Sequence, residues 1–270
     1  MKLRVLAAAA LVPILLLTVL VAPKIMMAIL VGVVCAIAAY ELLYGTGLVR
    51  HVRLISYAAV MAFLVVMWCY LGMEPLCAQL GILIYVILLF AEILISNGKL
   101  RFDRIAICLV AGVVFPYLLS ALVRIMGGEN GRMLILIPFI QAFLADTGAY
   151  FVGCAWGKHK LAPVISPNKS VEGVFGGIIF AIVGMLIYSL ILDFGFQKSV
   201  SYASAVIYGV VGALSGVFGD LCFSAIKRQT GIKDYGNLIP GHGGALDRFD
   251  SLIVVAPLAE ILLVLLPIME

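Results

Sequence analysis

The segment SAIKRQTGIKDYGNLIPGHGGALDRFD, Ser224 to Asp250, holds seven charged residues in 27, about twice the average density of the chain. Lys227, Arg228, Lys233 and Arg248 alternate with Asp234, Asp247 and Asp250, and His242 and five glycines lie among them. A solvated loop beside a membrane needs only a few basic residues. This mixture suits a complex of metal and phosphate. Carboxylates hold a hard divalent cation, commonly Mg²⁺, while Lys and Arg neutralise the phosphate oxygens that the cation does not reach. Gly241, Gly243 and Gly244 surround His242 and permit positive φ, so successive backbone N–H groups can form an anion-binding concavity. Asp247 and Asp250 stand three apart at the start of the last apolar stretch, on one helix face near a positive dipole end. For Asp250, a plain carboxylate at a helix N-terminus is an equal alternative.

A second stretch, Asp146 to Gly177, combines an acidic residue within an apolar run, the basic cluster Lys158-His159-Lys160 and the turn Ser166-Pro167-Asn168-Lys169-Ser170. Lys169 is the expected phosphate contact here, whereas Lys158 and Lys160 also read as ordinary anchors at a membrane face. Gly173 and Gly177 form a GxxxG pair that helix packing explains at least as well as ligand binding. Acids within apolar runs are costly unless paired or in a polar cavity, so Glu41, Glu92 and Asp220, near the same-side ends of their spans, and Asp146, about three turns in from that side, are candidates for function. Glu260, at mid-span, is divided between a structural partner and a cavity role.

The elements that must carry these residues follow from composition. The chain is 64% hydrophobic and only 12% charged over 270 residues, far from the balance of soluble domains. Its apolar runs reach the roughly 20 residues that cross a bilayer. The expected fold is therefore all-α, a polytopic integral membrane protein. It has about nine spans, near 4–23, 25–44, 54–73, 76–96, 105–124, 133–155, 174–193, 202–223 and 250–268. Residues 1–130 form an N-terminal group of about five spans, and 131–270 a catalytic group with loops at 156–173 and 224–249. The first span reads as an uncleaved helix. This count puts fourteen of the eighteen Lys and Arg residues on the side of the N-terminus, so that side, including both charged loops, is expected to be cytoplasmic. The net charge of +4 then belongs to the membrane face and to anionic lipids rather than to nucleic acid. The six cysteines lie singly in or beside apolar runs without metal-ligand spacing and read as packing residues.

The pattern S-x-I-K-R-x4-K-D-x-G-x2-I-P-x-H-G-G-x-x-D-R-F-D from Ser224 to Asp250 resembles the signature of the phosphatidate cytidylyltransferase (CDP-diacylglycerol synthase) family, and Asp146 to Gly177 is similar to a second region of that family. Ala245 and Asn168 depart from the usual residues. The resemblance implies that CTP and phosphatidate give CDP-diacylglycerol and pyrophosphate, with a lipid phosphate oxygen attacking the α-phosphorus. It implies metal roles for Asp220 and Asp247, with Asp146 as a subsidiary third. Phosphate or CTP contacts fall to Lys227, Arg228, Lys233, His242 and Arg248, supported by Lys169 and the backbone of Gly243 and Gly244. Mg²⁺ is the expected cofactor, and a second cation, monovalent in one reading, is compatible with it. The expected partners are CTP, phosphatidate and membrane lipids, with a homodimer left open, in a cell (inner) membrane with the site facing the cytoplasm. A CTP-dependent lipid kinase and an ion-coupled transporter are the alternative readings.

Overall fold

The structure, a computed structural model, describes residues 17–238 and 243–269. His242, Gly241 and most of the expected first span lie outside these residues. Among the described residues, seven helices are long and apolar enough to cross a membrane: α1 Lys24–Gly45, α2 Val52–Leu71, α3 Pro75–Ile95, α4 Phe102–Gly127, α5 Gly131–Trp156, α6 Val171–Gly195 and α7 Tyr202–Gln229. They correspond to the second through eighth expected spans. Two further helices follow, α8 Leu246–Phe249 and α9 Leu252–Leu265. At 14 residues, α9 is about 21 Å long, short of the roughly 30 Å hydrocarbon layer, so the expected span 250–268 is a shorter helix here.

Local chemistry sets the helix ends. α2 stops at Gly72, whose φ of 58° is the left-handed conformation that closes a helix, and α3 begins with Pro75 at a position where the missing N–H costs nothing. α7 runs 28 residues, to Gln229. Ser224, Lys227 and Arg228, expected in a loop, are therefore helical. Lys and Arg are good helix formers, and their charges suit the negative end of the helix dipole. The expected loop 156–173 also contains the one sheet among the described residues, a hairpin of β1 Lys160–Ala162 and β2 Ser166–Ser170, paired antiparallel with Lys160 opposite Ser170.

The polypeptide divides into two compact units. The first contains the chain up to Glu129 together with Gln229–Phe249, and the second contains Asn130–Arg228 together with Asp250–Glu270. In the first, α1 and α2 pack along each other around Met27, Val31, Cys35, Ala58, Ala62 and Val66. In the second, α5 and α6 lie in close contact through small residues. A side chain at Gly176 would meet Val152, and one at Gly177 would sit 2.8 Å from the carbonyl oxygen of Ala145. The Gly173–Gly177 pair thus belongs to helix packing, which in lipid depends on such close approach. The buried Gln141 of α5 donates from Nε2 to the carbonyl of Tyr208 on α7 at 2.8 Å and pins the third helix to this pair.

Candidate active site

In the second unit the charged side chains converge on α7. Asp220, Ser224 and Lys227 are spaced at i, i+4 and i+7 and so share one face. Ser224 and Lys227 are buried, Lys227 with only 8% of its surface exposed. Asp250 is 6% exposed and accepts the backbone N–H of Ser251 at 2.7 Å. It lies within the electrostatic reach of Asp220, Lys227 and Asp146. The approach of this turn to α7 depends on Gly219, where a Cβ would stand 2.8 Å from the carbonyl oxygen of Asp250 and 3.1 Å from the Cα of Ser251.

Lys169 completes the cluster. Its Nζ pairs with Oδ2 of Asp220, and both side chains keep about a quarter of their surface exposed. The hairpin that presents Lys169 is fastened at three points. Ser170 Oγ accepts the N–H of Gly173 at 3.1 Å and caps α6. Glu172 accepts the N–H groups of Lys158 at 3.1 Å and His159 at 3.2 Å, and meets His159 Nδ1 at 2.5 Å. Arg228 Nε donates to the carbonyl of Ile165 at 3.2 Å, tying the end of α7 to the hairpin turn.

Three carboxylates, Asp146, Asp220 and Asp250, thus share a neighbourhood with two ammonium groups, Lys169 and Lys227. Counted with every group ionised, one negative charge is in excess, and the carboxylates offer only oxygen donors, as a hard cation requires. Among the described residues no three His, Cys, Asp or Glu side chains could hold an ion by themselves. Mg²⁺ is commonly bound through one or two carboxylates together with water and substrate phosphates, and Asp220 with its neighbouring carboxylates offers donors of that kind. The donor set fits such an ion.

The glycine-rich segment is built in the first unit. Asp247 Oδ2 accepts the N–H groups of Tyr235 at 2.8 Å and Gly244 at 3.0 Å, joining the two ends of the segment. Glu41, at the end of α1 and 3% exposed, accepts the N–H of Ala245 at 3.0 Å through Oε1 and that of Leu246 at 2.8 Å through Oε2. It therefore caps α8 from a position 205 residues away. Gly236 and Gly244 leave room for this carboxylate, since a Cβ at either would lie 2.5 Å from one of its oxygens. Gly243 has φ of 87°, a conformation that suits glycine. Lys233 and Arg248 are exposed beside the segment.

Of the expected site residues, Asp146, Lys169, Asp220 and Lys227 come together, with Arg228 at the edge of the same unit. Lys233, Gly243, Gly244, Asp247 and Arg248 belong to the other unit, and His242 lies outside the described residues. Glu41 is the contributor that the motif did not reveal. The one signal it gave was a carboxylate near the end of an apolar span.

The Cytidylyltransferase family model matches residues 2–266. The chain is similar to the phosphatidate cytidylyltransferases of Staphylococcus saprophyticus, 39% identical over 181 residues and 66% of either chain, and Staphylococcus haemolyticus, 38% identical over the same length and share. It is also 37% identical over 188 residues, or 68% of either chain, to that of Staphylococcus epidermidis. The aligned part thus spans about two thirds of these relatives' length.

Proposed function

The chain belongs to the cytidylyltransferase family, and on that premise we propose that it transfers CMP from CTP to phosphatidate, releasing pyrophosphate and forming CDP-diacylglycerol for phospholipid synthesis. The observation that carries this reading is the cluster of Asp146, Asp220 and Asp250 with Lys169 and Lys227 at the end of a membrane helix. The attacking group, a phosphate oxygen, is already an anion, so no serine or cysteine has to be activated. What the reaction needs is alignment of two polyanions and neutralisation of their charge.

The residues divide that work. Lys227 is held by burial in the cluster, so its ammonium is positioned before substrate arrives. Lys169 stands on a capped hairpin and can exchange its pairing with Asp220 for a phosphate oxygen, because both side chains are partly exposed. As the lipid oxygen bonds to the α-phosphorus, the bond to the β-phosphate oxygen breaks and its electrons leave on pyrophosphate. Fixed ammonium groups favour that departure. Lys233, Arg228, Arg248 and His242 are assigned to the remaining phosphates, and the N–H groups around Gly243 and Gly244 to the nucleotide. Asp220, with Asp146 and Asp250 beside it, would hold Mg²⁺; a metal role for Asp247, whose Oδ2 accepts the N–H groups of Tyr235 and Gly244, is carried over from the sequence motif alone. When bound, the ion would polarise the α-phosphoryl oxygens and offset charge on the leaving group. The positive-inside distribution supports a cytoplasmic N-terminus and charged loops facing the cytosol, where CTP is dissolved while phosphatidate remains in the bilayer.

Radiolabel in the cytosine ring of CTP tests the reading. Its entry into the lipid fraction in the presence of phosphatidate is the expected result. Label that stays soluble while phosphatidate is consumed would overturn it.

A further inference from the structure

The first unit contains a cavity of about 460 Å³ at the junction of α1 and the 234–238 segment. Ile37 and Leu238 give it apolar walls, and Tyr40 and Tyr44 line it with rings stacked on each other, centroids 5.2 Å apart and planes 21° from parallel. Both tyrosines are about half exposed, so aromatic surface remains available for a third ring. Three side chains with carboxylate or amide groups line it: Glu41, Asp234 and Asn237. The carboxylate of Glu41 is engaged by the N–H groups of Ala245 and Leu246, whereas Asp234 and Asn237 are exposed. The recognition chemistry of the cavity therefore consists of an aromatic platform, one carboxylate and one amide.

We infer that this cavity binds the pyrimidine base of the nucleotide and that Asp234 sets the preference for cytosine over uracil. The inference rests on the CTP reading above and extends it to the base. A planar heterocycle stacks on tyrosine whatever its sequence identity, which supplies affinity without discrimination. Discrimination comes from the edge. Cytosine carries an exocyclic amine that donates to a carboxylate, while uracil carries a carbonyl oxygen at the same position and would face Asp234 acceptor to acceptor. The amide of Asn237 can both donate and accept, so it serves the rest of the base edge without choosing between the two. A negative group that repels the wrong base is an efficient way to obtain specificity.

The test compares CTP with UTP in purified protein with phosphatidate in mixed micelles. Wild type is expected to favour CTP, and Asp234→Asn should lower the CTP-to-UTP ratio of kcat/KM by about tenfold or more, within the range a single base-edge contact provides. Tyr44→Ala should raise the KM for CTP several-fold and leave the KM for phosphatidate unchanged. Asp234 is exposed, so its variant keeps the packing of the unit. Where turnover is too low to compare, equilibrium dialysis with labelled CTP and UTP reads the same ratio. An unchanged ratio in Asp234→Asn, or equal losses for both nucleotides, would overturn the assignment and leave the tyrosines as interfacial anchors. Failure of wild type to make CDP-diacylglycerol at all would instead refute the reading of the reaction, so the two failures are told apart.

Discussion

Glu41→Gln is the substitution that most directly probes how the glycine-rich segment is held. The native carboxylate is 3% exposed and accepts two backbone N–H groups, at 3.0 and 2.8 Å. Glutamine has nearly the same shape but offers one oxygen, and its NH₂ group would face the second N–H donor to donor. The substitution therefore removes one hydrogen bond to a charged group, worth about 1.5–3 kcal/mol, and weakens the other. At 1.4 kcal/mol per tenfold, the ordered segment loses roughly one to two orders of magnitude in stability relative to its open forms. If catalysis needs the ordered form, CDP-diacylglycerol formation should fall once that loss exceeds the native margin, while total helix content is retained. Amide hydrogen exchange at Ala245 and Leu246 should accelerate in parallel. Glu41→Asp keeps the charge and should recover part of the activity. Activity within about twofold of wild type together with unchanged exchange at both amides would refute the capping role.

Gly219→Ala should place a methyl group 2.8 Å from the carbonyl oxygen of Asp250 and displace that turn from α7. An overpacking cost of about 1–3 kcal/mol should appear as at least about a tenfold fall in kcat with little change in the KM for CTP, and unaltered kinetics would show that the Asp250 turn is not part of the site. Lys169→Gln should lower kcat/KM by about tenfold or more, because a charge aimed at the reacting phosphates is lost, with Lys169→Arg retaining more activity. Equal activity of the two variants, measured as CDP-diacylglycerol formed per minute, would remove Lys169 from the mechanism. In Asp247→Asn the amide oxygen can still accept from Tyr235 and Gly244, so the segment should persist while turnover is abolished even at saturating Mg²⁺. Activity within about tenfold of wild type would restrict Asp247 to organising the segment.

Much of this arrangement could be read from the sequence because membrane physics leaves few choices. Seven of the expected apolar runs are seven long helices among the described residues, and the charge density of Ser224 to Asp250 set that segment apart from them. Its boundary with α7 was harder to read. Lys227 and Arg228 look like loop residues by polarity, yet they extend the helix by nearly two turns beyond its apolar part, and Lys227 thereby comes to share a face with Asp220. The hairpin at Lys160–Ser170 was illegible for a related reason, since three- and five-residue strands with a proline carry almost no periodic signal. Glu41 shows what local pattern cannot supply. Its partners are 204 and 205 residues away, and only the packing of α8 against α1 creates the contact. The Gly173–Gly177 pair admitted two readings until the backbone of Ala145 and the side chain of Val152 occupied the space beside α6.

The central claim concerns which bond of CTP is broken, and labelled phosphorus reads that bond directly. Purified protein in phosphatidate-containing micelles with Mg²⁺ would be given CTP labelled at either the α or the γ phosphorus. The account predicts α-label in the lipid and γ-label in pyrophosphate, in equal amounts. Appearance of γ-label in the lipid, with α-label left in CDP, would contradict it and identify a phosphoryl-transferring kinase.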